Sequence, residues 1–122
     1  MLPAIFEHLQ ARRGAMLDTL RALVEMETPT DNKFAIDRAQ AFLRGEFESL
    51  GGAVEMVPQV HAGDHLRAAF YPEAQVPQLT LLTHVDTVYS LGVLASMPFR
   101  AEARLARGPG IFDMKGGIVI AL

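Results

Sequence analysis

The chain has 122 residues, half of them hydrophobic, with 11 lysines and arginines against 14 aspartates and glutamates for a net charge of −3. That is one domain's worth of chain with an ordinary apolar share, and with no basic block nucleic acid is not an expected partner. The absence of cysteine excludes disulfides and thiolate metal sites and fits a reducing compartment.

The opening Met1-Leu2-Pro3-Ala4-Ile5-Phe6 lacks a basic stretch followed by an apolar one. No export signal is legible, no apolar run is long enough to span a membrane, and a cytoplasmic protein is expected. From about Pro3 to Met26, Ile5, Leu9, Met16, Leu20 and Leu23 recur at helical spacing, with Arg12, Arg13, Asp18 and Arg21 between them. This predicts an amphipathic helix, weakened near Gly14 and stopped by Thr28-Pro29. Asp31 or Asn32 is placed to cap a second helix, in which Ile36, Ala39, Leu43, Phe47 and Leu50 form one stripe and Gly51-Gly52 the close.

Ala53 to Val57 and Leu66 to Tyr71 read as strands around a loop containing His61, Gly63 and Asp64, and Pro72 to Pro77 is a connector. Leu79-Thr80-Leu81-Leu82-Thr83 follows without Gly, Pro or charge, the pattern of a strand buried on both faces in the middle of a sheet. At its C-terminal end His84 and Asp86 lie two apart and so share one face of an extended chain. Ligands of open α/β sheets bind just beyond such strand ends. A loop from Thr87 to Pro98, a short strand pair around Phe99 to Ala106, and a glycine-rich stretch from Arg107 to Gly117 come next. Ile118 to Leu122 reads as the start of a buried helix with no stop signal, which predicts a truncated domain.

On the residues alone, His84 and Asp86 have two readings. One is a metal-binding histidine oriented by a carboxylate on its other ring nitrogen; the commoner is a satisfied histidine beside a solvated aspartate. The glycine-rich stretch narrows this. In Gly108-Pro109-Gly110-Ile111-Phe112-Asp113, Asp113 stands where a dinucleotide fingerprint needs its third glycine. Lys115 is followed by Gly116, not by the Ser or Thr of a phosphate loop. What remains is a tight loop delivering one carboxylate, suited to a hard or borderline cation. His61 and His65, four apart but separated by Gly63-Asp64, and His8 on the first helix are not expected to bind metal. No serine-hydrolase, cysteine-nucleophile or H-E-x-x-H pattern occurs.

His84-x-Asp86 and, after 26 intervening residues, Asp113 within Gly-Pro-Gly-Ile-Phe-Asp-Met-Lys-Gly-Gly together resemble the two N-terminal signatures of the M20 family of metallopeptidases. Thr83, Thr87-Val88-Tyr89 and Met97-Pro98-Phe99 resemble its glutamate carboxypeptidase branch most. The resemblance implies an α/β fold: residues 1–122 would be the N-terminal part of a zinc-exopeptidase (phosphorylase/hydrolase-like) catalytic domain, a mixed twisted sheet with flanking helices. It implies two Zn2+ per complete site, replaceable by Co2+ or Mn2+. His84 would bind one zinc, Asp113 would bridge both, and Asp86 would orient His84 as the catalytic partner. Gly108, Gly110, Lys115, Gly116 and Gly117 would shape the loop and the helix after it, with a cis peptide directly following Asp113.

The activity implied is hydrolysis of an amide bond next to a free carboxylate. The substrate would be a small peptide or an N-acyl amino acid, and intact members often form homodimers. The family's general base, its other ligands and its dimerisation domain lie beyond the equivalent of Leu122, so an inactive, self-associating chain is expected. The alternatives are a deacylase of N-acyl amino acids, or a non-catalytic binding or assembly module on the same fold.

Overall fold

The computed structural model describes residues Met1–Leu122. Helix α1 spans Leu2–Glu25, helix α2 Lys33–Ser49 and helix α3 Gly116–Ala121; strands are β1 Ala53–Val57, β2 His65–Ala69, β3 Arg100–Glu102 and β4 Leu105–Arg107. Helix α1 runs straight through Gly14. Of the two candidate caps for α2 the chain uses Asn32, whose side-chain oxygen accepts from the Ala35 N–H at 3.0 Å. Gly51, at φ +85°, turns the chain out of α2 in a conformation that a residue with a Cβ adopts only at a cost.

β1 and β2 form an antiparallel hairpin, Ala53 opposite Ala69 and Val57 opposite His65, and this hairpin lies against α2. Its connecting loop is clamped to α2 by ions. Lys33 Nζ pairs with Asp37 at 2.8 Å and with Asp64, while Asp64 accepts from the Gln59 N–H and donates its own N–H to Asp37. These hydrogen bonds hold Lys33 above the ordinary lysine value and Asp64 below the ordinary carboxylate value. β3 and β4 form a second, separate hairpin, Arg100 opposite Arg107.

The core is a single cluster: Leu20, Leu23 and Val24 of α1, Ile36, Ala39 and Leu43 of α2, Val85, and Ile118 and Val119 of α3. Only 17 of the 122 residues are buried, so much apolar side chain is left outside this cluster. No helix is long and apolar enough to cross a membrane.

The α and β content agrees with an α/β chain, but the single mixed, twisted sheet centred on Leu79–Thr83 does not form. The sheets are two two-stranded hairpins, and residues 79–83 are extended chain without strand pairing. The reason is the absence of neighbours. β1 and β2 pair only with each other, and Leu79–Thr83 is hydrogen-bonded to neither of the hairpin's outer edges. An apolar run becomes a buried strand only where another strand satisfies its N–H and C=O groups. Leu79, Leu81 and Leu82 are exposed instead. One step further along, the chain finds a partner. The Thr87 N–H donates to Thr28 O at 2.7 Å, the Thr30 N–H donates to Thr87 O at 3.0 Å, and Pro29 and Thr87 form a single parallel bridge.

Candidate metal centre

His84 and Asp86 project from one face of this bridged segment, while Val85 and Thr87 point into the protein. The alternation is the period-two geometry of extended chain, and burial of Val85 in the core fixes which face the site residues take. Thr28, itself buried, locks the register through its Oγ1, which donates to Val85 O at 2.7 Å.

Asp113 reaches the same place from the other side. Gly110 adopts φ +74°, and a Cβ there would stand 2.4 Å from Thr87 Cγ2, so the turn passes hard against the bridged segment only as glycine. Residues Ile111–Lys115 then make one wide turn, closed by the Lys115 N–H on Gly110 O at 2.9 Å and broken inside at Asp113 and Met114. The Asp113–Met114 peptide is cis, as the resemblance implied. Gly116 and Gly117 open α3; a Cβ on Gly116 would lie 2.8 Å from Ile111 O, so the turn and the helix are packed backbone to backbone. Gly108 sits between Val24 and Phe99, where β4 hands over to the turn.

Lys115 is buried, 1% exposed, and its Nζ donates to Leu23 O at 2.8 Å. Leu23 lies in the last turn of α1, whose carbonyls lack helical partners, so the lysine caps α1 and ties the Asp113 turn to it. Burial lowers the Lys115 pKa to about 8, with the Glu27 carboxylate opposing the shift. Glu27 also caps the 3-10 turn Val93–Ala95, accepting from the Gly92 and Leu94 N–H groups at 2.9 and 3.1 Å.

Two carboxylates converge on the His84 ring. Nε2 lies 2.9 Å from Asp113 Oδ1; Nδ1 lies 3.2 Å from Asp86 Oδ1 and 3.2 Å from the Asp86 carbonyl. Every partner of the ring is an acceptor. A neutral imidazole has one N–H to give, so in either tautomer one ring nitrogen would face a carboxylate lone pair to lone pair. A second proton or a cation resolves the conflict. Burial works to lower the His84 pKa, and the hydrogen bonds the ring gives to Asp113 and to the Asp86 carbonyl, with both carboxylate charges, outweigh it and leave it raised.

An imidazole nitrogen and a carboxylate oxygen side by side are the donor types that zinc, cobalt and manganese accept. As ligands they would number two, where a catalytic zinc takes three and a water. The Asp113 side chain is 79% exposed and His84 48%, so solvent or a ligand reaches them freely. No cluster of three or more metal-ligating side chains forms anywhere in the chain. His61 and His8 stand apart from the site, and His65 opens β2 instead of lying in the loop.

Thr30 was not singled out from the sequence. Its Oγ1 donates to Asp86 Oδ2 at 2.7 Å, on the oxygen opposite the one facing His84. Nothing in the run Thr28-Pro29-Thr30-Asp31-Asn32 signals a partner 56 residues on; only the bridge between residues 29 and 87 brings them together.

No protein-family profile matches the chain. It is similar to carboxypeptidase G2 of Pseudomonas sp. (strain RS-16), 36% identical over 120 residues, which is 97% of this chain and 29% of that protein. The chain thus spans under a third of the length of the curated relative it matches.

Proposed function

We propose that residues 1–122 form the N-terminal part of an M20-type metallopeptidase catalytic domain, with His84 and Asp113 as metal ligands and Asp86 as the residue that orients His84. The observation that carries this reading is the His84 ring held between two carboxylates, with no donor on either side to satisfy it. The similarity to carboxypeptidase G2, running over nearly the whole chain, supports a peptidase-like hydrolase.

His84 Nε2 and Asp113 Oδ1 would hold the metal, zinc in the first instance. When bound, such a metal supplies Lewis acidity toward a carbonyl oxygen and lowers the pKa of a bound water. The chain's own part is orientation. Asp86 at Nδ1 fixes the tautomer that leaves Nε2 free to ligate and makes it a better donor. Gly110 and Lys115 hold the Asp113 turn against Thr87 and α1, so the carboxylate meets the imidazole without spanning a gap. The reaction proposed for the complete site is hydrolysis of an amide bond beside a free carboxylate, in a small peptide or an N-acyl amino acid. Two ligands do not complete a catalytic zinc site, so this chain by itself binds zinc without turnover.

The test is titration of the metal-free chain with zinc by calorimetry, alongside His84→Ala and Asp113→Ala. One zinc per chain, lost in both variants, is the expected result. Uptake unchanged by His84→Ala, or none at all, contradicts it.

A further inference from the structure

Asp86 can orient His84 only if its own carboxylate is held still, and the fold contains one group that does so. Oδ1 faces His84 Nδ1 at 3.2 Å, and Oδ2 accepts from Thr30 Oγ1 at 2.7 Å. The hydroxyl has a second acceptor in reach, Thr87 O at 3.1 Å, but that carbonyl already accepts the Thr30 N–H at 3.0 Å. A hydroxyl with one proton gives it to the nearer, charged oxygen, where the bond is shorter and stronger. The Thr30 backbone is pinned by the bridge to Thr87, so its hydroxyl starts from a fixed point. The four groups form one line: Thr30 Oγ1, Asp86, His84, Asp113.

We propose that Thr30 is a positioning residue for the metal centre: its hydroxyl fixes the rotation of the Asp86 carboxylate and, through it, the orientation of the His84 ring. This rests on the reading of His84 as a ligand and Asp86 as its orienting partner. Thr30 touches neither metal nor substrate. Its effect reaches the ligand through Asp86; losing a ligand's direct hydrogen-bond partner weakens metal affinity about 10–100-fold, so for Thr30 the lower end of that range is expected. The side chain is exposed, so its removal leaves the core intact.

The experiment measures zinc affinity by competition with a chelator for the full chain and for Thr30→Val, Thr30→Ser and Thr30→Ala, with circular dichroism to check the fold. Long-range 1H–15N NMR of the His84 ring is recorded on the same metal-free proteins. Thr30→Val and Thr30→Ala are expected to bind zinc about tenfold more weakly and to move the Nδ1 resonance. Thr30→Ser, which keeps the hydroxyl, should restore both to within about threefold and to the parent position. In an Asp86→Ala background, Thr30→Val should cost nothing further, because the two act through one contact. Three results would overturn the proposal: parent-like affinity in Thr30→Val and Thr30→Ala, a loss in Thr30→Ser as large as in Thr30→Val, or additive losses with Asp86→Ala. Zinc binding that survives His84→Ala removes the underlying reading as well. Binding abolished by His84→Ala but indifferent to Thr30 removes this inference alone.

Discussion

Leu82 and Val85 stand three residues apart in one extended stretch, yet Leu82 is 92% exposed and Val85 4%. Both have strand-forming neighbours in sequence, so composition does not separate them. What separates them is who lies alongside. Val85 and Thr87 meet Thr28–Thr30, which take up their backbone groups and close the core over Val85. Leu79 to Leu82 pair with no strand, and their apolar side chains stay largely in water. Strand propensity measures fit to a half-buried surface, and only the second half of the run is given one. The site grows at the border, where the chain passes from unpaired to paired and its next outward residues are His84 and Asp86.

The largest effect is expected from a cut into the paired half. Leu23 is fully buried in α1 beside the segment that anchors the site. Leu23→Ala should cost about 2–5 kcal/mol, the range for a core leucine that leaves a cavity behind. Chemical denaturation followed by circular dichroism reads it. A loss below about 1 kcal/mol would mean that this cluster is not the core.

Lys115 gives the next largest effect and places it in a pH window. Its folded pKa is about 8 against 10.5 for the free side chain. Between those values the unfolded chain holds a proton that the folded chain has shed, so stability rises with pH across the window. The full rise is on the order of 3 kcal/mol, from 1.36 kcal/mol per pKa unit. Below pH 8 both states carry the proton and the contribution is absent. Lys33, raised by its bonds to Asp37 and Asp64, opposes this only as pH passes 10.5. Lys115→Met should flatten the curve between pH 8 and 10.5 in thermal melts; an unchanged slope would show that the amine is solvated in the folded chain.

The smallest effect belongs to the unpaired half. Leu82→Ser should change folding stability by no more than about 0.5 kcal/mol, because the side chain packs on nothing. It should reduce self-association instead. Leu79, Leu81 and Leu82 make a contiguous exposed apolar stretch, the kind of surface that drives chains together. Light scattering on the two proteins reads the difference, and equal association would place the sticky surface elsewhere, with Phe6 and Ile120 beside the groove between α1 and α3 as the next candidates.

How legible all this was in the sequence follows the same division. The helices, the short strands and a cap at Asp31 or Asn32 come from local signals: stripes at helical spacing, alternation, and turn residues. They lie within a residue or two of expectation. His84 and Asp86 could be placed on one face because that needs only period two. The neighbours of Leu79–Thr83 could not be read, since pairing is a property of two segments and the run itself describes only one. Thr30 escaped for the same reason, because its role exists only once residue 29 lies beside residue 87. The buried Lys115 was legible as a loop residue from the motif, but its bond to Leu23 O depends on where α1 ends.

In the proposed site His84 and Asp113 together hold a metal ion. X-ray absorption at the zinc edge on the zinc-loaded chain tests it most directly. One imidazole nitrogen at about 2.0–2.1 Å among oxygen neighbours, lost in His84→Ala, is the expected result. A shell of oxygens alone in the parent, or an imidazole signal that persists in His84→Ala and so comes from His8, His61 or His65, would contradict it.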